Sequence, residues 1–531
     1  MIRADVDSAD VQAIAYTAFG SLTGASYLIF RVADAPAARR WLRQLEPTSV
    51  ADLSSNGVRA TVSAAKQVAI TAAGLRALGV EEAIVQRFSP EFVEGIAGSP
   101  NRSQRLGDTG ANAPEHWRWG VGDREPHILL MLFAAPDRIG TFAGEAREAA
   151  ENSGLETIDV LRTTDMGGVE PFGFVDGVSQ PTFDWDRART PGTKADRTFT
   201  NLIALGELLL GYYNEYCYPA ESPTLDASER NADLLVPTVG APGKRDLGRN
   251  GSYLVMRQLS QDVLGFWRWV KEESGRAGVD PQTLAESAVG RRIDGSPLAD
   301  LETGLPLPGV NPRDLAVNGF IFDADPDGLS CPVGAHIRRA NPRTGDVPAG
   351  QVGTIDNLLT MLGLTTRRQR RPTSSTLPWP RNTTVWPYVR HEDDAIASAR
   401  FHRILRRGRE YGQKLDRATA LDPSTPDPAA GLHFLCLNAN IARQFEFVQG
   451  AWLSNAKFAG LTGEQDPLVG NREPFPKPPV IAVPQQTDSF TRPGAEPSQR
   501  RAREVPQFVK VQGGAYFFLP GLSALKWVAS I

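Results

Sequence analysis

Ser26-Tyr-Leu-Ile-Phe-Arg-Val32 opens the pattern that decides the fold, because so dense an apolar run of strand length reads as a buried β-strand. Asp34 follows where a helix N-cap belongs, and Ala37-Ala-Arg-Arg-Trp-Leu-Arg-Gln-Leu45 carries a helical period. Gln67–Thr71 reads as a short strand, and Ala72–Leu78 as a helix ended by Gly79, the residue a left-handed cap requires. His127–Ala134 (His-Ile-Leu-Leu-Met-Leu-Phe-Ala) is a second buried run, Arg138–Ser153 a helix, and Glu156–Arg162 alternates like a strand. With the helical insertion before His127 set aside, the order is β-α-β-β-α-β, the split βαβ or ferredoxin-like plan.

The later chain follows the same order. Ser252–Leu259 is a strand, Ser260 is placed to cap a helix over Gln261–Ser274, and Arg403–Arg407 and Leu432–Leu437 are two further strands. Helix Ile441–Leu453 and strand Ala515–Leu519 complete it. No repeat is visible residue by residue, so the duplication rests on the order of elements. The expected class is α+β: two ferredoxin-like (split βαβ) domains with antiparallel sheets, spanning 1–165 and 166–531. Long insertions are expected near 343–395, which contains Arg367-Arg-Gln-Arg-Arg371 in a Pro- and Thr-rich setting, and near 467–506.

Composition bounds the function. The 531 residues carry a formal charge of −4, with 41% hydrophobic and 22% charged residues, which argues for a folded chain and against nucleic acid as the main partner. Cys217, Cys331 and Cys436 are too few and too scattered for a disulfide framework, and no CxxC occurs. The longest strongly apolar run, Ile128 to Ala135, is far shorter than the roughly 18 residues of a membrane span. The first residues show neither a secretory apolar run nor a twin-arginine pair, so the expectation is a soluble, cytoplasmic protein without a membrane partner.

Six histidines, no HExxH, no GxSxG and no P-loop leave few chemistries open. A haem site needs only one axial imidazole and polar groups on the other face, and two segments could supply them. In Pro171-Phe-Gly-Phe-Val-Asp-Gly-Val-Ser-Gln-Pro181, Asp176 is an acid set between glycines in an apolar stretch; it is either a desolvated proton carrier or part of an Asp-Gly turn. In Ser330-Cys-Pro-Val-Gly-Ala-His-Ile-Arg-Arg-Ala-Asn-Pro-Arg343, small residues before His336 let a planar ligand approach, and the arginines suit carboxylates. A structural histidine, or a Cys331 thiolate ligand, are the competing readings.

Gly173-Phe-Val-Asp-Gly-Val-Ser-Gln-Pro181 resembles the signature of dye-decolorizing (DyP-type) haem peroxidases, and Cys331–Arg343 resembles their proximal-histidine segment. Arg403-Ile-Leu-Arg-Arg-Gly-Arg-Glu-Tyr-Gly412 is similar to their distal-arginine strand, and Gly431-Leu-His-Phe434 to the strand lining the distal pocket. Val511–Pro520 resembles the ending of the larger, fungal-like members. The resemblance runs from about Asp10 to the C-terminus and implies the same pair of ferredoxin-like domains, the second binding haem.

By position, the resemblance implies His336 as proximal ligand of the iron of haem b, Asp176 as distal acid–base, and Arg406 as distal arginine. It further implies that Gly177, Ser179 and Arg343 border the cofactor, with Arg343 on a propionate, that Leu432 and Phe434 shape peroxide access, and that Asp466 orients the proximal imidazole. The implied activity is reduction of hydrogen peroxide with one-electron oxidation of dyes, phenolics or other bulky aromatic donors through a ferryl porphyrin-radical intermediate. Trp452 and Tyr411 match aromatics that carry electrons from such donors in fungal-like relatives. The departures are the long stretch between His336 and Arg406 and Glu410, where the family usually has proline. The reading from another class is a haem-handling protein, storing haem or releasing its iron with little turnover.

Overall fold

Strand β1 (Gly24–Val32) sits between two antiparallel neighbours, and that placement organises the first half of the molecule. The computed structural model describes residues 6–55, 58–59, 62–187, 201–298, 318, 320, 322, 325, 327–343, 399–472, 487–493 and 501–531. After β1 come α1 (Ala35–Gln44), β2 (Ala64–Ile70), β3 (Ile128–Ala134), α2 (Ile139–Glu151) and β4 (Leu155–Arg162). Asp34 caps α1 through a 3.0 Å bond from the Ala37 N–H, as its position predicts. The strands pair in the order β2-β3-β1-β4, the ferredoxin-like arrangement.

The second half repeats this order. It consists of β5 (Ser252–Gln261), α3 (Val263–Ala277), the short helix α4 (His336–Ala340), β6 (Leu405–Arg406), β7 (Arg409–Tyr411) and β8 (Gly431–Asn438). A π-helical stretch follows over Ala442–Glu446 and Val448–Leu453, then β9 (Val509–Leu519) and α5 (Leu522–Ser530). β6 and β7 both pair with β8, and the order β6-β8-β5-β9 matches that of the first half. The halves are not separate bodies: β9 meets β2 at Phe518–Ile70, so one sheet runs through both. Arg43 of α1 donates 2.7 Å to the Ala529 carbonyl of α5, tying the halves at the surface as well.

Both faces of this sheet are covered. Leu28, Phe30, Leu130, Val255 and Phe518 pack into one core, and Tyr27, Ile29, Leu129, Leu254 and Phe517 into another. A strand buried on both sides has no polar face, which is why β1 and β3 read as continuous apolar runs rather than alternating ones.

Three local expectations shift. Strand β5 runs on to Gln261, so Asp262 rather than Ser260 caps α3, accepting from the Gly265 N–H at 2.7 Å. Strand β2 lies over Ala64–Ile70 instead of starting at Gln67, and Thr71 becomes the N-cap of helix Ala72–Ala77. Strand β9 begins at Val509 rather than Ala515, crossing Gly513-Gly514. A Cβ at Gly513 would stand 2.6 Å from the Trp119 indole, so glycine there admits the buried ring and does not end the strand. Apart from Arg343, the 343–395 insertion lies outside the described residues, as do 473–486 and 494–500 of the other insertion.

Candidate active site

Loop Gly168–Gln180 presents the first acid. A bridge between Val169 and Val175 closes its base, the Asp176 N–H donates to the Gly168 carbonyl at 3.1 Å, and Gly173 and Gly177 take φ of 99° and 78°. Those positive angles at Gly177 and Gly173 are what turn the loop sharply on either side of Asp176. Burial alone would raise the Asp176 carboxyl, but Arg406 and the Gly177 N–H outweigh it and hold the carboxyl below the ordinary carboxylate range. Arg406 Nη1 donates to Asp176 Oδ1 at 3.0 Å, across 230 positions of sequence.

Strand alternation separates the two candidate arginines. Arg406 on β6 turns into the cavity that Asp176 faces, while Arg407 turns to the other side of the sheet and donates to the Ile14 carbonyl at 2.8 Å. Gln180 ties the loop to β6, its Oε1 accepting the Arg406 N–H at 3.0 Å. The same alternation on β8 sends Leu432 and Phe434 into the cavity and buries His433 between them, on the opposite face beside Tyr27.

His336 opens α4 and lines the same cavity. Its Nδ1 lies 2.9 Å from Asp466 Oδ2, and the other Asp466 oxygen accepts the Leu468 and Val469 N–H groups, each at 2.9 Å. Burial would raise the Asp466 carboxyl, yet the pairing with His336 and the field of Arg339 keep it low, so the imidazole faces an anion. A carboxylate on Nδ1 fixes the proton there and leaves Nε2 with its lone pair, the state in which imidazole binds iron.

The cavity together with the open solvent at its mouth spans about 1770 Å³, and its walls are largely apolar: Leu259, Val289, Ile337, Ile404, Phe445 and Leu468 among them. Arg291 and Arg403 add cationic edges, and Asn341 Oδ1 is a buried acceptor with no hydrogen-bond partner among the described residues. A planar apolar macrocycle with anionic edges and an imidazole-seeking metal fits this donor set.

Ser179 and Leu432, Phe434, Asp176, Arg406 and His336 are thus brought to one cavity, with Asp466 directly behind His336 and Gly177 in the turn beside Asp176. Arg343 stands behind Ser179. It is fully buried and absent from the cavity lining, and its guanidinium donates to the Asn318 and Phe320 carbonyls at 2.6 and 2.9 Å and to Ser179 Oγ at 3.1 Å. The cavity cation on that side is Arg291, which reaches the same Ser179 Oγ at 3.1 Å. Cys331 does not line the cavity, and burial pushes its thiol up to about 12.

Trp452 is 7% exposed, in a small cluster with Val448, Leu453 and Phe458. Its ring meets His402, which lines the cavity, edge-on at 5.2 Å. Tyr411 is partly exposed, stacks on His433 at 4.5 Å and donates to the Leu259 carbonyl at 3.0 Å. Arg291, Arg403, His402 and Gln449 line the cavity without any sequence signal that distinguishes them from surface or core residues. The π-winding was equally hidden. Its i to i+5 bonds, such as Glu446 N–H to Ile441 O at 2.9 Å, widen the turns that place Phe445, Val448 and Gln449 in the wall.

The duplicated ferredoxin-like fold thus encloses an imidazole backed by a carboxylate, with an acid–arginine pair in the same cavity. No family model matches the chain. Among curated proteins it is similar to the multifunctional dye peroxidase DyP2 of an Amycolatopsis species, 27% identical over 476 residues covering 86% of this chain and 81% of that one. It is also 26% identical to the dye-decolorizing peroxidase msp1 of Mycetinis scorodonius, over 88% of this chain and 77% of that protein. The crystal structure of a fungal DyP-type peroxidase from Auricularia auricula-judae superposes with a TM-score of 0.68, at 21% identity and 99% coverage of both chains. The DyP-type peroxidase of Anabaena gives 0.64, covering 98% of this chain and 94% of that one at 21% identity. The chain is a homologue of the dye-decolorizing peroxidases and has their fold.

Proposed function

We propose that this chain is a DyP-type peroxidase that reduces hydrogen peroxide and oxidises dyes, phenolics or other aromatic donors by one-electron steps. The carrying observation is the Asp176–Arg406 pair in one cavity with a carboxylate-backed His336. A solved relative is described in complex with 2,6-dimethoxyphenol, which supports a phenolic donor here. The haem-handling reading leaves that pair without a task, since storage needs no proton relay.

His336 Nε2 would hold the iron of haem b, and Arg291 and Arg403 are among the cavity cations that would meet its carboxylates. No CxxCH is present to attach the group covalently. Bound haem supplies the metal position at which a peroxide O–O bond can be cleaved and the oxidising equivalents kept. The chain's residues do the rest. The ionised Asp176 carboxylate takes a proton from the peroxide oxygen nearer the metal and returns it to the departing oxygen, which leaves as water. Arg406, held 3.0 Å from Asp176, aims its guanidinium at the charge that develops during cleavage. Leu432 and Phe434 narrow the space above, admitting peroxide and keeping bulk water from the relay. Electrons from donors too large for the cavity pass through Trp452 or Tyr411.

The test is rapid-mixing measurement of peroxide reaction with the haem-loaded protein, with Asp176→Asn and Arg406→Leu. Each substitution should slow the step by about 10²- to 10⁴-fold while the Soret band is kept. Because the Asp176 carboxyl is held below the ordinary value of about 3.9, the base is ionised throughout mild acid. The part of the wild-type rate that depends on Asp176 should therefore hold through pH 5 and fall only as pH drops through that lowered value. Wild-type rates in both variants would overturn the mechanism.

A further inference from the structure

The loop that carries Asp176 is fastened by a second acid. Glu170 Oε1 accepts the Phe174 N–H at 3.0 Å, and its Oε2 accepts the Phe172 N–H at 3.0 Å and Gln261 Nε2 at 2.8 Å. The Glu170 backbone closes the same turn, its N–H donating to the Phe174 carbonyl and its carbonyl accepting from Gly173, both at 2.8 Å. Gln261 is the last residue of β5, so the carboxylate joins the loop to the sheet. Glu170, Gln261 and Asp176 all line the cavity.

We propose that Glu170 is a positioning residue: its carboxylate clasps residues 172–174 to the end of β5 and so aims Asp176 at peroxide. The physical case rests on acceptor count. Three donors converge on two carboxylate oxygens, and only a group without a proton of its own satisfies all three. Glutamine at this site would turn an NH2 group toward at least one of those donors, leaving an N–H opposed by another N–H. Asp176 lies two residues beyond Phe174, and a 1 Å error in a proton carrier is enough to cost a large part of its effect.

The groups facing the Glu170 carboxylate are the Phe172 and Phe174 amides, Gln261 and, at longer range, the Asp176 carboxylate. Burial pushes Glu170 up to about 7, with the three donors opposing that rise and Asp176 adding to it. The clasp is therefore complete above neutrality and loses an acceptor as pH falls through about 7. At that pH Asp176 remains ionised, so a change in rate there reports on Glu170.

The inference depends on Asp176 being the distal acid–base, and the experiment separates the two. Amide hydrogen exchange over residues 170–178 is measured on the haem-loaded protein, corrected for intrinsic rates, from pH 5 to 9, beside the peroxide rate. In the wild type, protection of Phe172 and Phe174 should rise through about pH 7, with a matching step in the peroxide rate. Glu170→Gln should keep its Soret band, exchange those amides about tenfold faster and lose the step. Glu170→Asp, which restores the charge, should recover part of both. Gln261→Leu removes one donor without touching the loop and should show a smaller effect in the same direction. Wild-type exchange and a retained step in Glu170→Gln would overturn the proposal, as would loss of haem in parallel with loss of rate in all three variants. If Asp176→Asn retains full rate while Glu170→Gln loosens the loop, the clasp stands and the role of Asp176 falls.

Discussion

Strands β3 and β8 hold the same place in the two halves, each third in its own β-α-β-β-α-β unit, yet one is sealed and the other lines a cavity. All seven residues of β3 are buried, and α2 behind it lies close to the sheet: a Cβ on Gly24 would stand 2.9 Å from Ile139. On β8, Leu432 and Phe434 line the cavity, and the equivalent helix, over Ala442–Leu453, is π-wound and lines it too. The two halves share a topology, and the cavity lies beside the helix that is wound differently.

The largest expected effect separates the halves completely. His336→Ala should remove the proposed metal ligand from the second half and leave the first untouched. The Soret band and peroxide turnover should be lost, with far-UV circular dichroism unchanged. Retention of a wild-type Soret band would mean that the cavity holds its metal elsewhere. A second contrast compares one side chain from each of the paired strands. Leu130 of β3 is 1% exposed, and Leu130→Ala should cost about 2–5 kcal/mol in denaturant unfolding without altering the rate per folded molecule. Leu432→Ala on β8 already borders a cavity and should cost clearly less, while changing peroxide access. Equal costs would show that the two strands are packed alike. The smallest effect concerns Trp452, in the π-helical wall. Trp452→Phe keeps most of its packing, so stability should change by less than about 1.5 kcal/mol. Turnover of a bulky anthraquinone dye should fall while the peroxide step stays fast. Unchanged dye turnover would leave Trp452 as a core residue and point to Tyr411.

The duplicated architecture was legible because each strand and helix carries a local period, and Ser26–Val32, His127–Ala134 and Ser252–Leu259 need no partner to be recognised. The family motif around Asp176 and His336 was legible for the same reason, being contiguous. Boundaries were less so: Ser260 and Asp262 are both good caps, and only the extra pairing of β5 with β8 and β9 shows which one is used. Arg343 marks a different limit. Seven residues after His336, its charge suits an anionic group, but nothing local shows that its guanidinium also meets Asn318, Phe320 and Ser179.

By itself, then, the order of residues determined the two ferredoxin-like units, their strand faces and the segments that bear the acid, the arginine and the imidazole, since these follow from periodicity and short motifs. Only the tertiary structure decided that Asp176 and Arg406 meet at 3.0 Å, that Asp466 stands behind His336, and that the halves share a sheet through Phe518 and Ile70. It also decided that Glu170 fastens the distal loop. Those contacts join residues far apart in the chain, and a cavity is defined by the side chains that fail to fill it. Neither property is carried by any single stretch of sequence.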